Sequence, residues 1–231
     1  MRRFSANASF SVLLFTLWCL APSATAQTTG TISVSGSVGA ILKLTSGGAA
    51  TLSGNVGGGV TTQSAADGAL ATVVNFGDVG PGNSSTYVCF TQPVFLRSNV
   101  GASVKGAVTA ATFGPGAADL QKSDIGIGVQ NLAAGGPNAD ISTTTIVAAF
   151  ATDPCAAPVA GGVPTFSRTL NDLVTAAPGT TLISAAGPWS SRGSFASPSN
   201  RVLVDLRLAI VPQAFTAGTF SATITLTMTA P

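Results

Sequence analysis

Cys89 and Cys155 are the side chains of this sequence most able to do covalent chemistry, and the expectation is that they do it to each other. The third cysteine, Cys19, lies in an apolar stretch near the start. Two cysteines left in an exported chain normally pair. Closing a loop of this length would stabilise the fold by about 4 kcal/mol through the lost entropy of the unfolded chain. The alternative is a pair of buried free thiols. A metal site has little to draw on, because the chain holds no His and no CxxC spacing.

Other catalytic side chains are scarce. Without His the commonest general base is missing, and without Glu a glycosidase pair would need two Asp residues. No GxSxG elbow occurs, and Gly126-Ile127-Gly128 sits inside an apparent strand with no helix behind it, which gives no phosphate cradle. A serine beside Lys43, Lys105 or Lys122 is the remaining nucleophilic arrangement, set against the plainer reading of three solvated lysines. Asp119, Asp124, Asp140 and Asp153 flank turns without the close spacing of a calcium loop, so turn capping is expected of them. Trp189, in a Gly/Pro/Ser loop, and Tyr87 could form a sugar platform, but a Trp in that setting more often caps a core. The expectation is a chain that is not an enzyme and takes no cofactor.

The elements that must position these residues read as strands. Residues 220–229 alternate without a break: Phe220, Ala222, Ile224, Leu226 and Met228 share one face, and Ser and Thr hold the other. Residues 202–210 repeat the pattern, and Pro212 and Gly218 bracket the connection, so the two runs are expected to form a closing antiparallel pair. Asp205 and Arg207 on the polar face would decorate solvent or blunt an edge. Further strands are expected over 30–45 (one long or two broken near Gly39), 70–79, 85–96, 102–113, 124–132, 141–150 and 180–185. Pro93 marks the third as an edge or a bulge. Residues 168–176 are the one place where a short helix is expected. The pattern predicts an all-β fold, a single immunoglobulin-like or pilin-like antiparallel β-sandwich of eight or nine strands over residues 27–231.

Residues 1–26 have the form of a secretory signal: Arg2 and Arg3, an apolar middle over 10–20, then Ala24-Thr25-Ala26. The middle is too short for a membrane span, and no later stretch would anchor the chain once the signal is cut. The destination is the periplasm, the cell surface or the medium. Beyond residue 26, eight Lys and Arg balance eight Asp, which leaves no basic face for nucleic acid. Such a weakly charged Thr/Ser/Gly/Ala surface is poorly protected against self-association.

Three segments carry a family resemblance: GTISVSGSVGAILKL at 30–44, VVNFGDVGPGNSST at 73–86 and FTAGTFSATITLTMTAP at 215–231. Together they resemble the spore coat protein U and chaperone–usher pilin superfamily of secreted β-sandwiches. The resemblance implies an exported, noncatalytic subunit of a surface appendage or coat, assembled by β-strand addition to itself or to related subunits. It makes Thr31, Ile32, Val34, Val38, Leu42 and Leu44 the candidate donated strand, and has the strand of Phe220, Ala222, Ile224, Leu226 and Met228 line the accepting groove or pair with the strand that fills it. The alternative is that residues 31–44 pair within their own domain as an ordinary first strand. A periplasmic chaperone and an usher would be further partners, although the chain ends Thr229-Ala230-Pro231 without the aromatic residue many members place there, and its cysteines lie downstream of the first strand. The functional alternative is a secreted monomeric binding module for a sugar or a host protein.

Overall fold

A computed structural model of the chain describes residues 33–190 and 193–231. The expected signal segment, Thr31 and Ile32 lie outside them. The strands are β1 (Leu42–Ser46), β2 (Thr51–Ser53), β3 (Gly59–Thr62), β4 (Val73–Asn75), β5 (Val88–Ser98), β6 (Ala102–Thr112) and β7 (Ile125–Ala134). They continue with β8 (Thr144–Ile146), β9 (Val159–Ala160), β10 (Val163–Pro164), β11 (Thr180–Ala185), β12 (Val202–Ile210) and β13 (Ser221–Thr229). Residues 39–231 form one compact unit, and the chain up to Val38 is a separate one. No helix among the described residues is long and apolar enough to cross a membrane.

Two antiparallel sheets make the sandwich. One has the order β1-β5-β12-β7 with β2 also on β5; the other has the order β13-β6-β11-β8. The long strands alternate because one face must be dry: Val88, Phe90, Val94 and Leu96 of β5 and Val202, Val204, Leu206 and Leu208 of β12 are buried. They meet Val104 and Val108 of β6 and Leu182 and Ile183 of β11 in one core. Two short hairpins, β3-β4 and β9-β10, lie off the sheets.

Residues 202–210 and 221–229 do not pair with each other. β12 lies between β5 and β7, whereas β13 joins β6 in the opposite sheet. The connection over 211–220 crosses the sandwich, so the two apolar rows face inward from opposite sides. Alternation reports which face is dry; it is silent on which sheet supplies it. Because β12 is central, Asp205 and Arg207 blunt no edge: Arg207 pairs with Asp153, and Asp205 accepts from Asn131 Nδ2 at 2.6 Å.

The expected first strand is shorter than its alternation. Only Leu42–Ser46 finds a partner, antiparallel to β5, while residues 33–40 hold no strand and leave Val34 91 % and Val38 90 % exposed. Residues 70–79 and 141–150 likewise shrink to β4 and β8. The 168–176 segment makes a single 3₁₀ turn, Leu170–Asp172, because Asp172 turns back onto Thr169 and Arg168 and closes it. Pro93 sits in a central strand, not on an edge. It is tolerated because β1 stops at Ser46 opposite Val94 and β2 starts at Thr51 opposite Thr91, which leaves a gap at the imide nitrogen.

Candidate functional site

The Cys89–Cys155 bond is formed, with Cα atoms 5.7 Å apart. It ties the loop after β8 across the outer face of β5 and β12, where the Arg207–Asp153 pair and the Tyr87 hydroxyl donating to Ala157 O hold the same loop. Gly128 belongs to this contact, and Gly126 to the neighbouring one made by the segment after β10. A Cβ on Gly126 would lie 2.4 Å from the Phe166 ring, and one on Gly128 2.4 Å from Thr152 O. The glycines permit close packing of a loop on a strand.

Four of the aspartates singled out from the sequence close turns. Asp119 accepts from Gly116 N, Asp124 from Gln121 N, Asp140 from Ser142 N and Asp153 from Cys155 N, each within its own turn. The Ser142 hydroxyl, and after it the Ser142 backbone N–H, holds the Asp140 carboxyl below the ordinary range. Trp189 is fully buried and donates from Nε1 to Thr144 Oγ1 at 2.8 Å, so it caps the core and offers no sugar platform. No group of three or more potential metal ligands occurs among the described residues.

What remains open is a groove. Among the described residues β13 pairs with β6 on one side only, and β4 pairs only with β3. The two free edges face each other across a cavity of about 850 Å³, walled by residues 70–77 and by Gly218–Leu226 and floored by Phe90, Gln92, Leu206 and Leu208. Ile224, Leu226 and Met228 point toward the core yet stay half-exposed, unlike the buried rows of β12. Ala222 is exposed, and Phe220 stacks on Phe113 with centroids 6.2 Å apart, at 6.3 Å from Phe76.

The Asn-Phe-Gly step shapes the far wall. Asn75 Oδ1 accepts from Gly77 N at 3.0 Å, Phe76 drops into the core, and Gly77 adopts φ 72°. A side chain there would meet Val56 O at 2.2 Å, so only glycine fits. Thr72 donates to Gln92 Oε1, which fixes the wall to β5, and Gln92 is itself held by donating from Nε2 to Pro93 O of the same strand at 2.7 Å. At the Phe220 end the groove runs into a second cavity of about 440 Å³, bordered by Asp78, Asp119, Phe113 and Phe215.

Of the residues expected to act in strand addition, the structure separates two groups. Leu42 and Leu44 pair within their own chain on β5, and Leu44 lines the groove; Val34 and Val38 stand in a segment without ladder partners.

Sequence reading missed one cluster. Arg97 is fully buried on the outer face of β5, with Nη1 2.7 Å from Asp67 Oδ1; Arg201 approaches the same carboxylate at 3.6 Å and lies over the Phe95 ring at 3.9 Å. None of the three Arg97 nitrogens meets an aligned acceptor among the described residues, so the Asp67 contact is an ion pair more than a directed hydrogen bond. The Arg97 guanidinium holds the Asp67 carboxyl below the ordinary range, against the opposing effect of burial. A charge in PVFLRS is visible in sequence, but nothing in its spacing points to Asp67 thirty residues earlier.

The fold and its open seam define the class: an antiparallel β-sandwich with an apolar groove between two unpaired strand edges. No family model matches the chain, and the search of curated proteins finds no match.

Proposed function

We propose that this protein is an exported, noncatalytic structural subunit that assembles by β-strand addition, with residues 31–40 of one copy filling the groove of another. The observation that carries this reading is the pairing of an unsatisfied edge with an apolar slot of matching length. β13 offers nine residues, about 30 Å of edge at strand rise, and ten extended residues span about 33 Å. Val34 and Val38 stand exposed in an uncharged, alternating segment, while half-exposed Ile224, Leu226 and Met228 lack cover. An added strand would bond main chain to β13 and bury alternate side chains in the slot, the two components of affinity and register in strand addition. The disulfide fits an oxidising compartment.

The test is deletion of residues 28–38 in the full chain, expressed in a secreting host. The expected outcome is loss of detergent-resistant oligomers with the disulfide and the strand content retained. Oligomers that persist without the segment would defeat the reading.

A further inference from the structure

Three cations stand in a row across the outer face of the first sheet. Lys43 of β1 is the cross-strand partner of Arg97 of β5. Arg201 immediately precedes Val202, the partner of Leu96, so it comes level with Arg97 on the other side. The row lies on the face of β5 opposite Val94 and Leu96 of the core and away from the groove, so it is independent of strand addition. Like charges set directly opposite each other weaken a ladder. Among the described residues one carboxylate, Asp67, answers all three cations. Its Oδ1 lies 2.7 Å from Arg97 Nη1 and its Oδ2 3.6 Å from Arg201 Nη1, while Lys43 makes no ion pair. Asp205, on the same face of β12, accepts from Asn131 Nδ2 at 2.6 Å, and Asp140 accepts from Ser142 N at 2.8 Å; neither makes an ion pair there.

Asp67 is fixed where it stands. Its N–H donates to Ser46 O at 2.8 Å, Ser46 N donates to Gly68 O at 3.0 Å, and its own φ is 60°, a region that residues with a Cβ seldom occupy. A short side chain on a pinned backbone serves Arg97 and leaves Lys43 without a counter-charge. The Arg97 side chain is fully buried, and its three nitrogens and Arg201 Nε are buried without an aligned acceptor among the described residues. Donors buried in that state are costly. Arg201 lies over the Phe95 ring at 3.9 Å and Arg97 at 6.0 Å from the same ring, which holds both guanidinium groups in place. Lys43 and Arg201 are the two members of the row that solvent reaches.

We propose that this row is a binding site for a dianionic oxyanion, a phosphate or sulfate group. Three cations against one carboxylate leave two positive charges in excess, which a dianion neutralises and a single carboxylate ligand does not. Phosphate and sulfate oxygens accept from a guanidinium fork and from an ammonium alike. The ligand contacts Lys43 and Arg201, and Arg97 adds its charge from below, where burial lessens screening by salt. The group is the free ion or the same group carried on a surface polymer; the chemistry recognised is shared.

Equilibrium dialysis of the full-length exported protein against radiolabelled inorganic phosphate, near neutral pH and at constant ionic strength, reads the site directly. Uptake should saturate at one phosphate per chain; inorganic sulfate should displace the label, and acetate should not. Lys43→Gln and Arg201→Gln should each weaken uptake about tenfold. Arg201→Lys keeps the charge without the fork and should recover only part of the loss. Lys122→Gln, a lysine outside the row, should bind as the parent does. Circular dichroism and the intact disulfide report folding of each variant. Lys43 is exposed, so its variant carries the test even where an Arg201 variant fails to fold. Dextran sulfate separates the sources: displacement at a far lower concentration of sulfate groups than inorganic sulfate needs assigns the site to a polymer-borne group, and equal potency assigns it to the free ion. Uptake that does not saturate below about 10 mM, displacement by acetate as readily as by sulfate, or equal uptake by the parent and Lys43→Gln overturns the site.

Discussion

Arg97 is the residue on which local stability turns. A buried guanidinium is tolerable only while its counter-charge stays, so Asp67→Asn should cost about 3 kcal/mol in a urea titration. Arg168→Ala, which opens the half-exposed Arg168–Asp172 pair, should cost at most about 1 kcal/mol. The pH response has a definite sign. Asp67 has a folded pKa below its unfolded value of 3.8, and so does Asp172, where burial is outweighed by bonds from Thr169 and Arg168. Their stabilisation is therefore complete above the unfolded value and lost as pH falls through the folded one. The unfolding midpoint should be flat from about pH 8 to 5 and drop below about pH 4, less steeply in Asp67→Asn. Removing the Cys89–Cys155 bond by double substitution to Ala should lower stability by about 4 kcal/mol, since it closes a separation of 66 residues.

At the scale of elements, β13 is the strand whose inner row is half-covered, and on the strand-addition proposal its role in assembly is separable from folding. Leu226→Lys places a charge in the groove, where the ammonium can still reach solvent, so the melting temperature should shift by no more than a few degrees. Oligomers should be lost, because an inserted strand would bury that charge without a partner. In β12 the same change at the buried Val204 should prevent folding. Period-two alternation made β5, β6, β7, β11, β12 and β13 legible in sequence, since each has one dry face. It overran at residues 33–41, 70–72, 76–79, 141–143 and 147–150, because a strand also needs an edge to pair with, and that edge is set by distant chain. For the same reason alternation could not assign β12 and β13 to different sheets. The cysteine pairing and the apolar row of β13 were legible. The opposing wall at residues 70–77 and the Arg97–Asp67 contact were not, because each depends on segments brought together across the fold.

For the whole molecule, the proposed strand addition requires that the all-β sandwich, whose β13 edge is unpaired among the described residues, be completed by a second copy. Hydrogen–deuterium exchange of the assembled and the dissociated protein tests this most directly. The β13 amides that face the groove should exchange fast in the single copy and become strongly protected on assembly, together with residues 31–40, while β12, already paired on both sides, should not change. Equal protection of β13 in both states, or assembly that leaves residues 31–40 unprotected, would contradict it.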